Sequence, residues 1–204
     1  MTPHLYIGCD PDLRTLNAAI ITADKVPLAV FLRRNKSHLT GDKAVAAAMP
    51  VVSKLADDIV AFFVANEVYQ MCPMTLIVES QSIQHALKER KSGKHKVDPD
   101  DILHTGQIAG ILMGVLGELV GGNVVLVAPA TWKKGQPKQI HHPRIYQRLL
   151  WPQSFCKKDN GAIFPAEMEY AKLTKYSGEK VNPGDFADIN DSLGLALYGA
   201  ENNL

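Results

Sequence analysis

Short apolar runs that end in acids alternate along this chain with longer stretches whose apolar positions recur every three or four residues. Leu5-Tyr6-Ile7-Gly8-Cys9 is such a run, closing in Asp10. Pro11-Asp12-Leu13-Arg14 then breaks the pattern before a second apolar run, Asn17 to Thr22, so the opening reads as strand, turn, strand. Asp24-Lys25 makes a tight connection into Val26 to Leu32, a third strand whose Pro27 suits an edge or a strand start. From Pro50 to Tyr69, Val52, Leu55, Ile59, Phe62, Phe63 and Val68 fall at helical spacing, which predicts an amphipathic helix with Pro50 in its first turn. Met74 to Glu79 repeats the opening device, an apolar strand delivering an acid.

The second half predicts fewer strands. Asp98-Pro99 starts a helix to about Glu118, apolar at Ile102, Leu103, Ile108, Ile111, Leu112, Val115 and Leu116. Its glycines, Gly106, Gly110, Gly114 and Gly117, lower helix propensity but permit close approach of a strand or another helix. Gly121-Gly122 turns the chain into Val124 to Val127, an apolar fifth strand suited to a central or parallel position. A short helix is expected over Ile140 to Leu150, and a last one over Asp185 to Gly199, with Phe186, Ile189, Leu193, Leu197 and Tyr198 on one spacing. Between them, Trp151 to Pro183 has no clean period and reads as an insertion of loops with a helical stretch at Glu167 to Lys175.

Composition narrows this to one α/β domain, since 204 residues with 46% hydrophobic and 21% charged suffice for a substantial core. The net charge is only +1, so affinity for nucleic acid would have to come from clustered lysines. Such a cluster exists at Lys88, Arg90, Lys91, Lys94 and Lys96 around a central Ser-Gly, which reads as a basic loop in phosphate contact or as a solvated charge run. Cys9, Cys72 and Cys156 lie far apart, which argues against a zinc site and a disulfide framework. The N-terminus carries no charged region followed by an apolar signal core, and the apolar stretch Ile108 to Val120 is short for a bilayer. A cytoplasmic protein without a membrane segment is the expectation.

The acids carry the chemistry. Asp10 could simply start the turn before Pro11. Asp188 and Asp191, three apart on one helix face, could be a solvated polar face. Two strand-end acids together with a helical pair make a different set: several carboxylates converging suit Mg²⁺ or Mn²⁺. Two such ions can activate water and stabilise a leaving oxygen in phosphodiester hydrolysis. His141-His142 is not a zinc pair, because adjacent side chains diverge; a loop cap or phosphate contact suits it better. Asp185, after Pro183-Gly184, stands where a helix N-cap belongs.

Three stretches, Ile7 to Thr15, Ile77-Val78-Glu79-Ser80-Gln81 and Ala187 to Ala196, with Gly106-Gln107-Ile108-Ala109-Gly110 as the start of a long interface helix, resemble RuvC-type Holliday-junction resolvases. That resemblance implies a ribonuclease H-like fold with a five-stranded mixed sheet flanked by helices. It implies Asp10, Glu79, Asp188 and Asp191 as catalytic metal ligands for Mg²⁺, with Mn²⁺ substituting, and Lys133 and Lys134 near the DNA backbone. Branched DNA is the implied partner and a homodimer through the glycine-dotted helix the implied assembly, in recombination and repair. The sequence departs from the family at Gln81-Ser82-Ile83, where an aromatic residue is usual, and in the long 151–183 insertion, which points to a divergent, phage-type member. Other readings share some of these residues. A nuclease of the same fold could act on flaps, forks or RNA-DNA hybrids. An actin-like ATPase also begins with an acid-bearing strand, but would need a second glycine-rich phosphate loop. A DNA-binding scaffold leaves convergent carboxylates beside phosphates unexplained.

Overall fold

The computed structural model describes residues 3–12, 14–35, 42–80, 99–150, 156–159, 162–165, 173–182 and 185–204. Five strands, β1 (Leu5–Pro11), β2 (Thr15–Thr22), β3 (Pro27–Arg34), β4 (Met74–Glu79) and β5 (Val124–Val127), form a sheet in the order β3-β2-β1-β4-β5. The first three make an antiparallel meander, while β4 runs parallel to β1 and β5 parallel to β4. This is the mixed five-stranded sheet expected of a ribonuclease H-like fold. β5 is parallel but takes the edge, not the centre, and leaves Leu126 50% exposed.

Alternation along each strand sorts side chains to two faces. Leu5, Ile7, Cys9, Leu16, Ala18, Ile20, Leu76 and Val78 face a core built with α1 (Asp42–Ala65) and α2 (Pro99–Leu119). Tyr6, Ala19, Ile21, Val30, Ile77 and Val127 face α5 (Phe186–Asn202), beside which lie α3 (Pro129–Lys133) and α4 (Lys138–Arg148). By the same alternation Asp10 and Glu79 belong to the α5 face. The helix lies close because of Gly8: a Cβ there would overlap the Ser192 carbonyl oxygen and the Ala196 amide.

Several expectations shift. α1 begins eight residues before Pro50, which sits inside the helix, and it ends at Ala65 before a short 3-10 turn, Glu67–Tyr69. The alanine-rich run from Ala44 to Ala48 propagates helix well, and Pro50 is exposed, so the bond its missing N–H forfeits lies on the solvent side. Asp10 does not start the turn. It is paired with Asn17 inside the ladder, which continues to Pro11 opposite Leu16. The turn is made by Asp12, whose Oδ1 accepts from the Arg14 amide at 2.7 Å.

Within 151–183, read as loops and a helix, Cys156–Asp159 and Ala162–Pro165 form an antiparallel two-stranded ladder too short to show a period. Of the proposed 167–175 helix only Leu173 to Lys175 are described, in a helical residue and a turn. Ser177 hydrogen-bonds the backbone of Leu32 on both sides, so the stretch after Leu173 covers the open edge of β3.

α2 is apolar over 18 residues, Ile102–Leu119, starting six residues earlier than the stretch noted from sequence; by length and composition alone it could cross a membrane. Its inner side, Ile102, Ile108, Ala109, Leu112 and Leu116, is buried in the core. Gly117 packs on Val124, 3.2 Å from where a Cβ would stand, whereas Gly106, Gly110 and Gly114 face open space.

Candidate active site

The C-terminal ends of β1 and β4 are neighbours, and each brings its acid to the α5 face. Glu79 is 3% exposed; Trp132 Nε1 donates to its Oε2 at 2.8 Å, and Lys133 Nζ stands 3.1 Å from the same atom. Those two residues arrive together because α3 is one five-residue helix. Pro129 sits in its first turn, and left-handed Lys134 and Gly135 end it. A Cβ at Gly194 would overlap the Trp132 ring, so this glycine lets α5 close over the indole.

Asp191 is 1% exposed on α5 and carries the densest set of contacts. Lys138 Nζ lies 2.7 Å and Lys133 Nζ 3.4 Å from Oδ2, and His142 Nε2 lies 2.9 Å from Oδ1. Lys133 thereby bridges Glu79 and Asp191. Burial alone would raise the Asp191 carboxyl, but the His142 hydrogen bond and the charges of Lys133 and Lys138 outweigh it and hold the group at about 2. Asp10 goes the other way: burial and the negative charges of Glu79 and Asp191 raise it well above the usual carboxylate range, with Lys133 and Lys138 opposing. Asp188 is half-buried, accepts a long hydrogen bond from Thr15 Oγ1 at 3.5 Å, and is raised by burial, with Lys138 opposing and Asp12 and Asp191 adding to the rise.

All four sequence-predicted acids are therefore electrostatically one group: Asp10, Glu79 and Asp191 at its centre, Asp188 at its margin. They are the residues that could hold a hard cation. Among the described residues, no three His, Cys, Asp or Glu side chains stand in a ready metal-ligating arrangement. Ammonium groups stand among these carboxylates instead.

Of the basic residues read from sequence, Lys133 is inside the acid group, and Lys134 is exposed beside a cleft of about 360 Å³ that Arg144, Arg148 and Glu201 also line. Glu201 answers part of that charge by pairing with Arg148 and Lys25. Lys88, Arg90, Lys91, Lys94 and Lys96 lie outside the described residues, as does the Gln81 to Ile83 stretch. Asp185 occupies the cap position of α5, but its carboxylate does not bond the amides of the first turn. It accepts from the Asn182 amide at 2.7 Å and pairs with Arg34.

Sequence reasoning passed over Trp132 and Lys138 and read His142 as a loop cap or a phosphate contact; it stands on α4 bonded to Asp191 and is no loop cap. A signal was present. Lys138 and His142 are four apart, which on a helix puts them on one face, and a buried tryptophan must find an acceptor for its N–H.

No protein-family model matches the chain, and no curated protein matches it. Among solved structures, Thermus thermophilus RuvC in complex with a Holliday-junction substrate aligns over 97% of this chain and 92% of that one, at TM-score 0.55 and 14% identity. A second Thermus thermophilus RuvC structure aligns over 98% and 96%, at TM-score 0.47 and 13% identity. At this identity the likeness concerns architecture, and the architecture is the ribonuclease H-like fold of RuvC.

Proposed function

We propose that the protein is a metal-dependent, structure-selective endonuclease that cuts four-way DNA junctions by paired phosphodiester hydrolysis, with Asp10, Glu79, Asp188 and Asp191 holding Mg²⁺ or Mn²⁺. The observation that carries this reading is the meeting of two strand-end acids with Asp191 of α5 around a shared lysine. Carboxylates crowded until Asp10 is pushed up resist being left without a cation. The donor set is all oxygen, as hard divalent ions prefer, and Lys138, 51% exposed, has solvent into which to withdraw. Bound there, such ions would supply an activated water and a stabilised leaving oxygen.

The chain's own residues do the rest. Trp132 fixes the Glu79 carboxylate by its indole N–H, and His142 fixes one oxygen of Asp191, leaving the other for Lys133 and Lys138. These cations offset part of the negative charge that would repel a DNA phosphate. Lys134 and the 88–96 cluster are the proposed backbone contacts.

Branched DNA as the proposed substrate is supported by the RuvC neighbour, whose structure holds a Holliday junction. A junction cut on two strands suits a two-fold enzyme, and α2, with Gly106, Gly110 and Gly114 facing open space, is the proposed contact between two copies. The 151–183 insertion supports a divergent, phage-type member. The test is cleavage of a synthetic four-way junction in Mg²⁺, beside linear duplex, single strand, flap, fork and RNA-DNA hybrid. Symmetric cuts in the junction, lost in EDTA or Ca²⁺ while binding persists, are expected. Preferential cutting of flaps, forks or hybrids would transfer the same acids to another substrate, and full activity in chelator would remove the metal.

A further inference from the structure

Asn17 is a buried polar residue that nothing above accounts for. It is 1% exposed, and both ends of its carboxamide, Oδ1 and Nδ2, are enclosed without a hydrogen-bond partner among the described residues. A buried amide left unpaired is costly, and native structures rarely tolerate one without a reason. The strand gives none: Leu16, Ala18 and Ala19 around it are wholly buried apolar residues, and an apolar side chain would suit the position better.

Its place supplies the reason. Asn17 is the residue directly opposite Asp10 in the β1–β2 ladder, on the face that α5 covers. Opposed side chains in an antiparallel pair have Cβ atoms about 4.5–5.5 Å apart, so the carboxamide and the Asp10 carboxylate are immediate neighbours. Two residues away on the same face, Thr15 reaches Asp188. A second orphan, Ser192 Oγ, is wholly buried next to Asp191, where α5 crosses β1 at Gly8.

We infer that Asn17 is a residue of the cation site, its carboxamide supplying a neutral oxygen beside Asp10 that is satisfied only when a hard divalent ion is bound. A neutral oxygen adds a donor of the kind Mg²⁺ and Mn²⁺ accept without adding to the repulsion among the carboxylates. This rests on the metal-dependent reading above. It makes Asn17 a group that weakens the metal-free protein for the sake of the loaded one, a pattern found at functional sites.

The experiment reads binding and stability, not cleavage. Mn²⁺ and Mg²⁺ are titrated calorimetrically into wild type, Asn17→Ala and Asn17→Asp, and each protein is melted in EDTA and in saturating metal. Asn17→Ala should bind metal about ten-fold more weakly, the lower end of what a lost supporting group costs a metal site. In EDTA it should melt at or above the wild-type temperature. Asn17→Asp keeps an oxygen and adds a charge, so it should bind at least as tightly as wild type and melt lower in EDTA. Equal affinities in wild type and Asn17→Ala, or an Asn17→Ala protein that melts lower in EDTA or fails to fold, would overturn the inference and make the amide structural. Absence of any metal response in wild type is a separate result: it sinks the metal-dependent reading itself.

Discussion

Two groups of acids lie side by side along one end of the sheet, linked through Thr15, which pairs with Arg34 and bonds Asp188, and are treated in opposite ways. At the end of β3, Arg33 holds Asp58 through two hydrogen bonds of 2.7 Å each, with a third to Asp58 from the Gly178 amide, while Arg34 pairs with Glu179 and Asp185. Asp58 has a guanidinium in fork geometry, the arrangement suited to a stable ion pair, and Glu179 and Asp185 share the other, one nitrogen each. At the ends of β1 and β4 the acids face two ammonium groups and an imidazole, Asp10 is pushed up and Asp191 down, and polar groups stay orphaned. Matched charge ties a loop to a strand edge. Mismatched charge is held in place by a tight helix-strand contact at Gly8.

The largest expected effect separates the two groups by substitution. Asp10→Asn should reduce junction cleavage by orders of magnitude while leaving metal-free stability unchanged or raised, since it removes one charge from a repulsive set. Arg33→Ala should do the reverse. It strands a mostly buried Asp58 and should cost on the order of 3 kcal/mol, with cleavage retained at a temperature where the variant is folded. Denaturant melts and cleavage gels on the two variants check this, and cleavage lost in both with stability lost in both would make the acid group structural.

Next in size is a pH profile of the metal-free protein, in which two carboxyls pull in opposite directions. Asp10 is raised in the folded state, so between its unfolded and folded values the native protein binds the extra proton, and stability increases as pH falls through that window. Asp191, lowered to about 2 from 3.8, contributes stability that is complete above about 4 and is lost as pH falls from there towards 2. A stability maximum on the acid side of neutrality is therefore expected, and saturating Mg²⁺ should flatten the rise that leads to it. The same shift predicts that Asp191→Asn costs roughly 2 kcal/mol at neutral pH in EDTA. On the acid count alone, removal of this charge would be neutral or stabilising; the two lysines and the His142 hydrogen bond around Asp191 reverse that expectation.

That reversal marks the boundary of what the sequence holds. Strand ends were legible because an apolar run that stops in an acid is a local pattern, which gave Asp10 and Glu79, while Asp188 and Asp191 came from a three-residue spacing on one helix and from the family resemblance. Their partners were not, because Lys133, Lys138 and His142 reach Asp191 from α3 and α4 across the chain, and no spacing relates them to α5. The extension of α1 before Pro50 was masked by a proline that an exposed position tolerates. Edge against centre was illegible for β5, since a four-residue apolar run looks the same in both. The ladder within 156–165 has strands of four residues, shorter than any period can show.

A third test concerns the two faces of α2. Leu112 is fully buried in the chain's own core, so a charge there would unfold the protein and say nothing about assembly. Gly110 and Gly114 are exposed, with nothing within 4 Å of an added Cβ. Gly110→Asp or Gly114→Asp should leave the fold intact, because glycine is itself a poor helix former, and should convert a dimer to a monomer in sedimentation. Paired junction cuts should become single nicks. A wild type that sediments as a monomer and still makes paired cuts contradicts the two-fold reading.

The smallest expected effect is on salt dependence, and it distinguishes two neighbouring lysines. Lys133 is 18% exposed and engaged by Glu79 and Asp191, so in the metal-free protein it is not available to a phosphate; Lys134, the next residue, is turned outward by its left-handed backbone and borders the cleft with Arg144 and Arg148. A lysine that neutralises one phosphate contributes about one counterion to the slope of log affinity against log salt. In Ca²⁺, where binding is separated from cutting, Lys134→Ala should flatten that slope by about one and weaken every DNA shape alike. Neutralising Lys88, Lys91, Lys94 and Lys96 together should flatten it further, by about one for each phosphate contact made. Lys133→Ala should change the slope less than Lys134→Ala but alter stability in EDTA more, since it leaves Glu79 and Asp191 with one fewer cation between them. Equal slopes for wild type and Lys134→Ala would return Lys134 to a solvated charge, and a larger slope change at Lys133 would mean that DNA draws this lysine away from the acids it bridges.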